Sequence, residues 1–391
     1  MARDILVSGW RFIPHSYAVV SQSLCLEFLR RASGLRLFFE DTPYHNPTWQ
    51  PATGMFGAEA EAQLRSIPPL PADRKADAEI RVSFPLDLLR PGRAARTTVF
   101  GTTETLCVPR ANVAGGMSVA DAQRQNDFTI LTCSEWSGRG FVRSGVPAGR
   151  VAVLPLGFDP EVFRPATPEQ RAAVRSELGF APEDFVFCHA GAMTGYKGLR
   201  FLLPAFARLA RERPNARLLL KGSDALYASQ QDFEKQFEKL DPQSAQAAAS
   251  RLRYTGAQLS FADMARIYQA ADCYVAPYMA EGFNLPVLEA AACGLPVICT
   301  GGGSTDDFVS DDFALRISSE LRSLPVKDAP EAMGLQPDPE HLLRLMLRVI
   351  DDAGFRASAG AAGPRYVARY TWARIADRLL PFLFSGHLDE P

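Results

Sequence analysis

Residues 271–300 read ADCYVAPYMAEGFNLPVLEAAACGLPVICT, and this stretch decides the expected fold of the chain. The apolar run 272–277 predicts a short strand, 285–293 predicts an apolar helix closed by Gly294, and 296–300 predicts a second strand. A strand, a helix and a strand in this order form a βαβ unit of a parallel sheet. Ligands of such sheets bind at the carboxyl ends of the strands, where helix amino termini offer free N–H groups to anions.

Two glutamates with seven residues between them lie in this unit. Glu281 is in the loop after the first strand, and Glu289 is about one turn inside the helix. Asn284 is the predicted N-cap and Pro286 suits the first turn, so the N–H groups before the helix are left to receive a phosphate. A buried Glu289 needs neutral hydrogen-bond donors, such as the vicinal hydroxyls of a ribose. Glu281 is then placed to hold hydroxyls of the group that the diphosphate carries. The alternative is a capped helix with two solvated glutamates.

The segment EGFNLPVLEAAACGLPVI, residues 281–298, resembles the signature of retaining glycosyltransferases of family 4. The resemblance implies the GT-B fold, an α/β architecture in which two Rossmann-like domains face each other across a cleft. It also implies that Glu289 holds the ribose of a nucleotide and that Glu281 contacts the donor sugar as a catalytic residue. The donor-binding residues predicted in this segment are Gly282, Phe283, Asn284, Leu285 and Glu289.

A second candidate phosphate site is the loop GAMTGYKG, residues 191–198, between a strand predicted at 185–190 and a predicted helix. Glycines, a lysine and a helix amino terminus at a strand end form a cradle for phosphate, although the spacing is neither that of a P-loop nor that of the dinucleotide fingerprint. The resemblance implies that an arginine and a lysine of this loop hold the diphosphate. Lys197 matches the lysine, whereas Ala192 stands where the arginine is expected. Gly191 and Lys197 are therefore predicted donor-binding residues, and the alternative for Lys197 is a solvated loop lysine. Two other cations are candidates for the missing charge, Arg200 and Lys221.

The first part of the chain contributes three further candidates. Gly9 follows the first strand, predicted at 4–8, lets backbone approach a ligand closely, and lies in a loop that resembles the glycine loop of the family's acceptor domain. His15 precedes a helix that Ser16 is predicted to cap, and it is either a general acid or base or a hydrogen-bonded structural residue. Glu104 lies in a Thr-Glu-Thr sequence that resembles one branch of the family, with a later Ser-Glu-Trp. It is either a catalytic residue or a cap of the following turn.

A long loop, residues 41–57, reads DTPYHNPTWQPATGMFG and is too rich in proline to be regular. It contains the rings of Tyr44, His45, Trp49 and Phe56 without an amphipathic period. Aromatic faces suit the C–H surface of a sugar, and loops often carry specificity, so this loop is the predicted acceptor site. The alternative is a local cluster that pins a long loop.

The 391 residues exceed what one hydrophobic core usually serves and predict two domains. We expect an acceptor-side domain at 1–160, a nucleotide-sugar-binding domain at 161–364, and a C-terminal helix at 365–385 that crosses back to the first domain. A net charge of −2 and a pI near 6.3 give no general attraction to nucleic acid or to an anionic membrane. The seven cysteines form no CxxC pair and are expected to be reduced core residues.

The resemblance implies a retaining glycosyltransferase that moves a sugar from a nucleotide-diphosphate donor to a glycan, a glycolipid or another hydroxyl acceptor. A GT-B sugar-nucleotide epimerase and a non-catalytic sugar-nucleotide-binding protein are the alternatives. No metal or other cofactor is expected, because acidic pairs in turns usually cap or solvate and GT-B enzymes characteristically need no bound cation. The chain shows no signal sequence and no apolar run long enough to cross a membrane. We therefore expect a cytoplasmic protein, with peripheral membrane contact if its acceptor is lipid-linked.

Overall fold

The computed structural model describes residues 2–31, 33–126 and 128–388. The chain divides into two compact units, each built around a six-stranded sheet. The first unit comprises Met1–Gly157, Ser323–Met333 and Tyr370–Pro391, and the second comprises Phe158–Arg322 and Gly334–Arg369.

Strands and helices alternate along most of the chain, which is the pattern of parallel α/β sheets. The strands are β1 (Arg3–Gly9), β2 (Leu35–Asp41), β3 (Ala76–Val82), β4 (Ala94–Phe100), β5 (Thr129–Thr132), β6 (Val151–Val153), β7 (Phe185–Ala190), β8 (Ala216–Lys221), β9 (Leu252–Thr255), β10 (Cys273–Ala276), β11 (Val297–Thr300), β12 (Ala314–Ile317), β13 (Ser319–Ser323) and β14 (Met333–Pro337). The helices are α1 (Ser16–Arg30), α2 (Ala58–Ser66), α3 (Val119–Gln125), α4 (Glu135–Arg143), α5 (Pro168–Glu177), α6 (Leu199–Glu212), α7 (Ser229–Phe237), α8 (Pro242–Ala249), α9 (Phe261–Ala270), α10 (Leu285–Ala292), α11 (Pro339–Asp351), α12 (Ala353–Val367) and α13 (Trp372–Ser385).

The sheet of the first unit has the strand order β2-β1-β3-β4-β5-β6, and all its neighbouring strands are parallel. The chain leaves β1 for β2 on one side and returns to the other side of β1 as β3. The loops after β1 and β3 therefore diverge at the same edge of the sheet, which is where open α/β sheets bind ligands.

The sheet of the second unit has the order β12-β11-β10-β7-β8-β9 and is also parallel throughout. The chain runs outward from β7 through β8 to β9, and it then returns beside β7 as β10. Residues 191–198 follow β7 and residues 277–284 follow β10, so both candidate loops start at this topological switch point. The predicted α/β class with two Rossmann-like domains is confirmed, and β7 has the predicted bounds.

Two predictions, one at the start of α1 and one near the C-terminus, are wrong. Ser16 does not cap α1, because it is already the first helical residue; His15 is extended and its Nδ1 accepts a hydrogen bond from the N–H of Tyr17 at 3.2 Å. The single helix predicted near the C-terminus is two helices. Thr371 interrupts it, since its hydroxyl accepts from the N–H of Arg374 at 3.4 Å and thereby starts α13 in the first unit, whereas α12 ends in the second.

The seven cysteines are buried and carry free thiols, as predicted. Burial raises the pKa of several of these thiols, Cys188 and Cys299 to about 12. The thiols whose pKa is raised are therefore protonated at neutral pH, and the buried cysteines act as small core residues. In the described part of the chain, no helix combines the length and the apolar character needed to cross a bilayer.

An ion pair between Arg81 and Glu79 lies inside the first unit, and both side chains are fully buried. The guanidinium Nε donates to Glu79 Oε1 at 2.9 Å. Arg81 also donates to three carbonyl oxygens, those of Asp87, Arg90 and Pro91. Glu79 accepts from Ser8, Thr97 and the N–H of Arg93. One buried pair on β3 thus joins β1, β4 and the segment that leads into β4.

Candidate functional site

Lys197 and Glu281 meet at the switch point of the second sheet. Lys197 Nζ lies 2.5 Å from Glu281 Oε1, although the two residues are 84 positions apart in the chain. Only 7% of Glu281 is exposed, and Lys197 is half-buried. The fold therefore brings the predicted phosphate-binding cation and the predicted sugar-binding carboxylate into direct contact at the edge where ligands of such sheets bind.

The glycine loop 191–198 is held tightly against the loop after β10. The carbonyl of Tyr196 accepts from the N–H of Met279 at 2.7 Å. Gly198 has φ +83°, and a Cβ on it would lie 1.8 Å from the carbonyl oxygen of Pro277, so a side chain is excluded there. The N–H of Gly191 donates to the carbonyl of Lys221 at 3.0 Å. The free N–H groups expected of this loop therefore do not include that of Gly191.

Asn284 precedes α10 but does not cap it with its side chain, so the predicted capping role is wrong. Its backbone is left-handed, with φ 81° and ψ 66°, whereas a side-chain N-cap needs an extended backbone. Its carbonyl accepts from the N–H of Val287 at 3.1 Å. Pro286 has no N–H, and the N–H of Val287 is used in this bond, so the N–H of Leu285 is the donor left among the first three residues of α10. The amino end of α10 therefore keeps this donor for an anion.

The other predicted residues of this segment differ in how they are used. The ring of Phe283 stacks on that of Phe308 at 4.5 Å, and its carbonyl accepts from the hydroxyl of Ser304 at 3.4 Å. Gly282 is buried, and Leu285 is half-buried at the start of α10. The side chain of Phe283 thus packs the loop against Phe308 within the second domain, and the donor-binding role of Phe283 stays a prediction.

Glu289 is buried within α10, with 8% of its surface exposed. Its Oε2 accepts a hydrogen bond of 2.8 Å from the hydroxyl of Tyr268 on α9. Burial raises the pKa of Glu289 to about 7, and the Tyr268 hydrogen bond opposes that rise. Both Glu281 and Glu289 contribute, after burial, to raising the pKa of Tyr274. The two carboxylates therefore lie within electrostatic range of one phenol.

Three side chains of this site were not anticipated from the sequence. Tyr268 is the partner of Glu289, and the hydroxyl of Tyr274 donates to the carbonyl of Ala190, the last residue of β7, at 3.1 Å. His189 is buried on β7, where its Nδ1 is 2.7 Å from the carbonyl of Val275 and burial lowers its pKa to about 4. All three lie in apolar elements whose pattern reads as core, so no local signal distinguishes them.

Gly9 is the last residue of β1 in the first unit, and His15 lies between β1 and α1. A Cβ on Gly9 would lie 2.5 Å from the carbonyl oxygen of Val82 on β3, so strand packing requires glycine here whether or not a ligand binds. The ring of His15 contacts the buried ring of Trp10 at 5.0 Å, edge to face. The helix cap and this contact give His15 a structural role, and its catalytic role stays a prediction.

Glu104 is exposed in the loop that follows β4. Its carbonyl accepts from the indole N–H of Trp136 at 2.8 Å, so the Thr-Glu-Thr and Ser-Glu-Trp sequences are in contact. Burial raises the pKa of Tyr17 to about 12, and the charge of Glu104 adds a smaller contribution. Glu104 therefore lies within electrostatic range of Tyr17, which is two residues after His15.

The aromatic loop 41–57 packs its rings against those of Trp10, His15 and Phe84. Trp49 lies 5.8 Å from Trp10 and 5.5 Å from His15, and the exposed His45 lies 4.8 Å from Phe84. The cluster pins the loop at the carboxyl edge of β1 and β3, as the structural alternative expected. It also presents an exposed imidazole and a half-buried indole at that edge, so the acceptor role of the loop stays a prediction.

Comparison with known sequences gives a consistent picture. A family model described as "Glycosyl transferases group 1" matches residues 184–333. A GDP-mannose-dependent monoacylated alpha-(1-6)-phosphatidylinositol monomannoside mannosyltransferase of Corynebacterium glutamicum is 30% identical over 338 residues, which are 81% of each chain. A D-inositol 3-phosphate glycosyltransferase of Segniliparus rotundus is 30% identical over 59% of this chain and 46% of its own. A lipopolysaccharide 1,2-N-acetylglucosaminetransferase of Salmonella typhimurium is 29% identical over 48% of this chain and 47% of its own.

Solved structures resemble almost the whole chain. Anabaena HepE in complex with UDP and glucose has a TM-score of 0.69 at 15% identity, covering 98% of this chain and 100% of its own. WaaG, a glycosyltransferase of lipopolysaccharide biosynthesis, has a TM-score of 0.65 at 15% identity over the same shares. These likenesses show the GT-B fold. Together with a relative that is 30% identical across 81% of both chains, they leave one assignment: the chain belongs to the group 1 glycosyl transferases.

Proposed function

We propose that this group 1 glycosyltransferase is a retaining enzyme of family 4 that moves a sugar from a nucleotide-diphosphate donor to a glycan, glycolipid or other hydroxyl acceptor. The observation that carries the proposal is the ion pair of Lys197 and Glu281 at the switch point, with Glu289 buried on the next helix. In the proposal, Lys197 and the amino end of α10 hold the diphosphate. Glu281 accepts hydrogen bonds from hydroxyls of the donor sugar, and Glu289 accepts hydrogen bonds from those of the ribose.

The proposed reaction breaks the bond between the anomeric carbon and the diphosphate oxygen and forms one between that carbon and the acceptor oxygen. The proton of the acceptor hydroxyl leaves with the diphosphate. Negative charge grows on the leaving diphosphate as the bond breaks, so the ammonium of Lys197 and the helix amides stabilise the transition state more than the bound donor. Attack from the side of the leaving group gives retention of configuration.

The same proposal divides the chain between the two substrates. Residues 161–364 are proposed to bind the nucleotide sugar, and residues 1–160 with the C-terminal helix are proposed to serve the acceptor. Gly9, His15 and Glu104 are the candidate residues of the acceptor-side domain. Several relatives act on phosphatidylinositol mannoside, inositol phosphate or lipopolysaccharide by name, which supports a glycan or lipid-linked acceptor and peripheral membrane contact for this chain.

The function is tested by incubating the protein with GDP-mannose, UDP-glucose and other nucleotide sugars, with and without glycolipid acceptors. Nucleotide release that rises with an acceptor supports transfer, and an unchanged anomeric configuration in the NMR spectrum of the product supports retention. Isomerisation of the donor sugar without an acceptor identifies the epimerase alternative. Donor binding without any turnover identifies a non-catalytic binding protein, and an inverted product contradicts retention.

Nucleotide affinity is expected to increase with pH through the titration of Glu289. Its pKa of about 7 means that the carboxyl is about half protonated at neutral pH, and only the ionised form accepts from both ribose hydroxyls. The affinity of UDP or GDP should therefore rise about five- to tenfold from pH 6 to pH 8 through this group. Calorimetry is done in parallel on Glu289→Gln. Titration of the nucleotide phosphates affects both proteins equally, so the difference between the two pH profiles reports Glu289. Equal pH profiles for the two proteins would refute this role.

The same group makes an opposite contribution to folding stability. Glu289 keeps its proton in the folded protein between its ordinary pKa of 4.5 and about 7, a window in which the unfolded chain has lost it. Its contribution to stability is therefore fully present below pH 4.5 and is lost as the pH rises through about 7. Denaturant titrations at several pH values should show this decline in the unaltered protein and not in Glu289→Gln.

Transfer is expected not to require a divalent cation. In the proposal the diphosphate is held by cationic side chains of the protein and by the amino end of α10, so a metal ion is not needed for this role. Dialysis against EDTA should change the rate of transfer by less than about twofold, compared with the far larger losses typical when a catalytic metal is removed. A strong loss that Mg²⁺ or Mn²⁺ restores would contradict this part of the proposal.

A further inference from the structure

Lys221 is a buried lysine at the strand end next to the glycine loop. It is the last residue of β8, it pairs in register with Ala190 at the end of β7, and only 9% of its surface is exposed. Its carbonyl accepts from the N–H of Gly191, the first residue of the glycine loop, at 3.0 Å. The backbone of Lys221 is therefore bonded directly to the start of the proposed diphosphate-binding loop.

The ammonium of Lys221 is poorly compensated by the protein itself. Its Nζ donates to the carbonyl of the next residue, Gly222, and no Asp or Glu of residues 2–31, 33–126 and 128–388 forms an ion pair with it. Asp224 is the carboxylate that influences it electrostatically, but Asp224 Oδ1 accepts from the Tyr254 hydroxyl at 2.7 Å and from the N–H of Gln230 at 2.9 Å. Burial lowers the pKa of Lys221. A buried charge with one carbonyl acceptor and three donors is an expensive arrangement, and an anionic ligand would relieve it.

Ser229 connects the segment that follows Lys221 to the glycine loop by hydrogen bonds. Its hydroxyl oxygen accepts from the N–H of Ser223 at 3.1 Å, and its hydroxyl donates to the carbonyl of Ala192 at 2.7 Å. Ala192 therefore has a fixed position close to the end of β8. The methyl group of Ala192 brings no charge to that position, so a cation from the neighbouring strand can serve it.

We propose that Lys221 supplies a second positive charge to the donor diphosphate, in addition to that of Lys197. Two cations from adjacent strand ends, β7 with its loop and β8, then act on a group that carries two phosphates. The inference rests on the proposed function, because it assumes that a nucleoside diphosphate binds to the glycine loop. Lys221 then supplies the positive charge that was expected from an arginine at position 192, where this chain has alanine.

Arg200 is the rival for this role and has a different setting. It is exposed on the first turn of α6, and its guanidinium lies 4.7 Å from the centre of the neighbouring Phe201 ring. An exposed guanidinium is already solvated and gains less from an anion than a buried ammonium does. The structure therefore favours Lys221, and the two cations are separable by substitution.

The test compares Lys221→Met with Arg200→Met and with Lys239→Met, which removes the same charge from an exposed lysine of the second domain. Calorimetry uses UDP or GDP, whichever the unaltered protein binds, and the matching nucleoside. We expect Lys221→Met to weaken the nucleoside diphosphate about ten- to a hundredfold and the nucleoside by less than about twofold. Lys221→Arg should restore much of the loss, and Lys239→Met should have no effect.

Thermal unfolding distinguishes a binding role from a structural one. Because Lys221 carries a buried charge without a carboxylate partner, Lys221→Met is expected to keep or raise the melting temperature. A lower melting temperature with equal losses for nucleoside and nucleoside diphosphate would show a structural lysine and overturn the inference. Unchanged nucleoside diphosphate affinity in Lys221→Met, with a loss in Lys197→Met or Arg200→Met, would overturn it while leaving the proposed function intact. If the unaltered protein binds neither UDP nor GDP nor any other nucleoside diphosphate, the proposed function fails and the inference fails with it.

Discussion

Glu281→Gln is expected to lower the rate of transfer about a hundred- to a thousandfold while the protein remains folded. In the proposed complex the carboxylate accepts hydroxyls of the donor sugar and holds the ammonium of Lys197 at 2.5 Å. Glutamine keeps the shape of the side chain, but it loses the charge and one of the two accepting oxygens. The donor sugar then loses the contact that fixes its anomeric carbon, and Lys197 loses the partner that orients it.

The same substitution should have the opposite effect on nucleotide affinity. Without the carboxylate, the charge of Lys197 is no longer shared, so UDP or GDP should bind as tightly as before or more tightly. Steady-state kinetics and calorimetry on one preparation measure both quantities. Glu183→Gln is the matched control, because Glu183 is an exposed glutamate of the same domain. Unchanged turnover in Glu281→Gln would remove Glu281 from the catalytic site, and a parallel fall in nucleotide affinity and melting temperature would show a structural role instead.

The parts of the fold that the sequence predicts well are those whose signal is local. β7 is a continuous apolar run between turns and matches its predicted bounds, and α10 ends one residue before the predicted end. The sequence predicts one C-terminal helix because it is helical in pattern on both sides of the break, where α12 ends at Val367 and Thr371 caps the start of α13. A cap is decided by backbone conformation, as His15 and Asn284 also show, and residue type alone does not fix it.

The candidate site was predictable as two loops but not as one site. The sequence places Lys197 after one strand and Glu281 after another, and their contact depends on β10 returning to the side of β7. That strand order has no local signature in the sequence. The partner of Glu289 was missed for a related reason, because Tyr268 occupies a core position of α9 and its hydroxyl is used only through tertiary packing. Pattern reading finds groups that need a partner, and the topology decides which partner they receive.

Strand β3 contains two charged residues at core positions, which the sequence pattern does not identify as buried. They give the prediction with the largest effect on stability. The strand runs over Ala76–Val82, and Glu79 and Arg81 interrupt its apolar pattern although both are fully buried. Arg81→Met is expected to lower the free energy of unfolding by about 3–5 kcal/mol, since it leaves the buried carboxylate of Glu79 with the half-buried Arg90, 3.5 Å away, as its remaining cation and leaves three carbonyl groups without this donor. In a domain of this size the melting temperature should fall by roughly 6–15 °C.

A double-mutant cycle shows whether the pair, and not the volume of the arginine, is responsible. Glu79→Met with Arg81→Met removes both charges, so the double variant should lose less stability than the sum of the two single losses. It should still be less stable than the unaltered protein, because Ser8, Thr97 and the carbonyl groups keep no partner of equal strength. Arg124→Met is the control, since it breaks an exposed ion pair with Asp121 and should change the free energy of unfolding by less than about 1 kcal/mol. Denaturant unfolding measures all four variants, and strictly additive losses in the cycle would show that Arg81 and Glu79 stabilise β3 independently of each other.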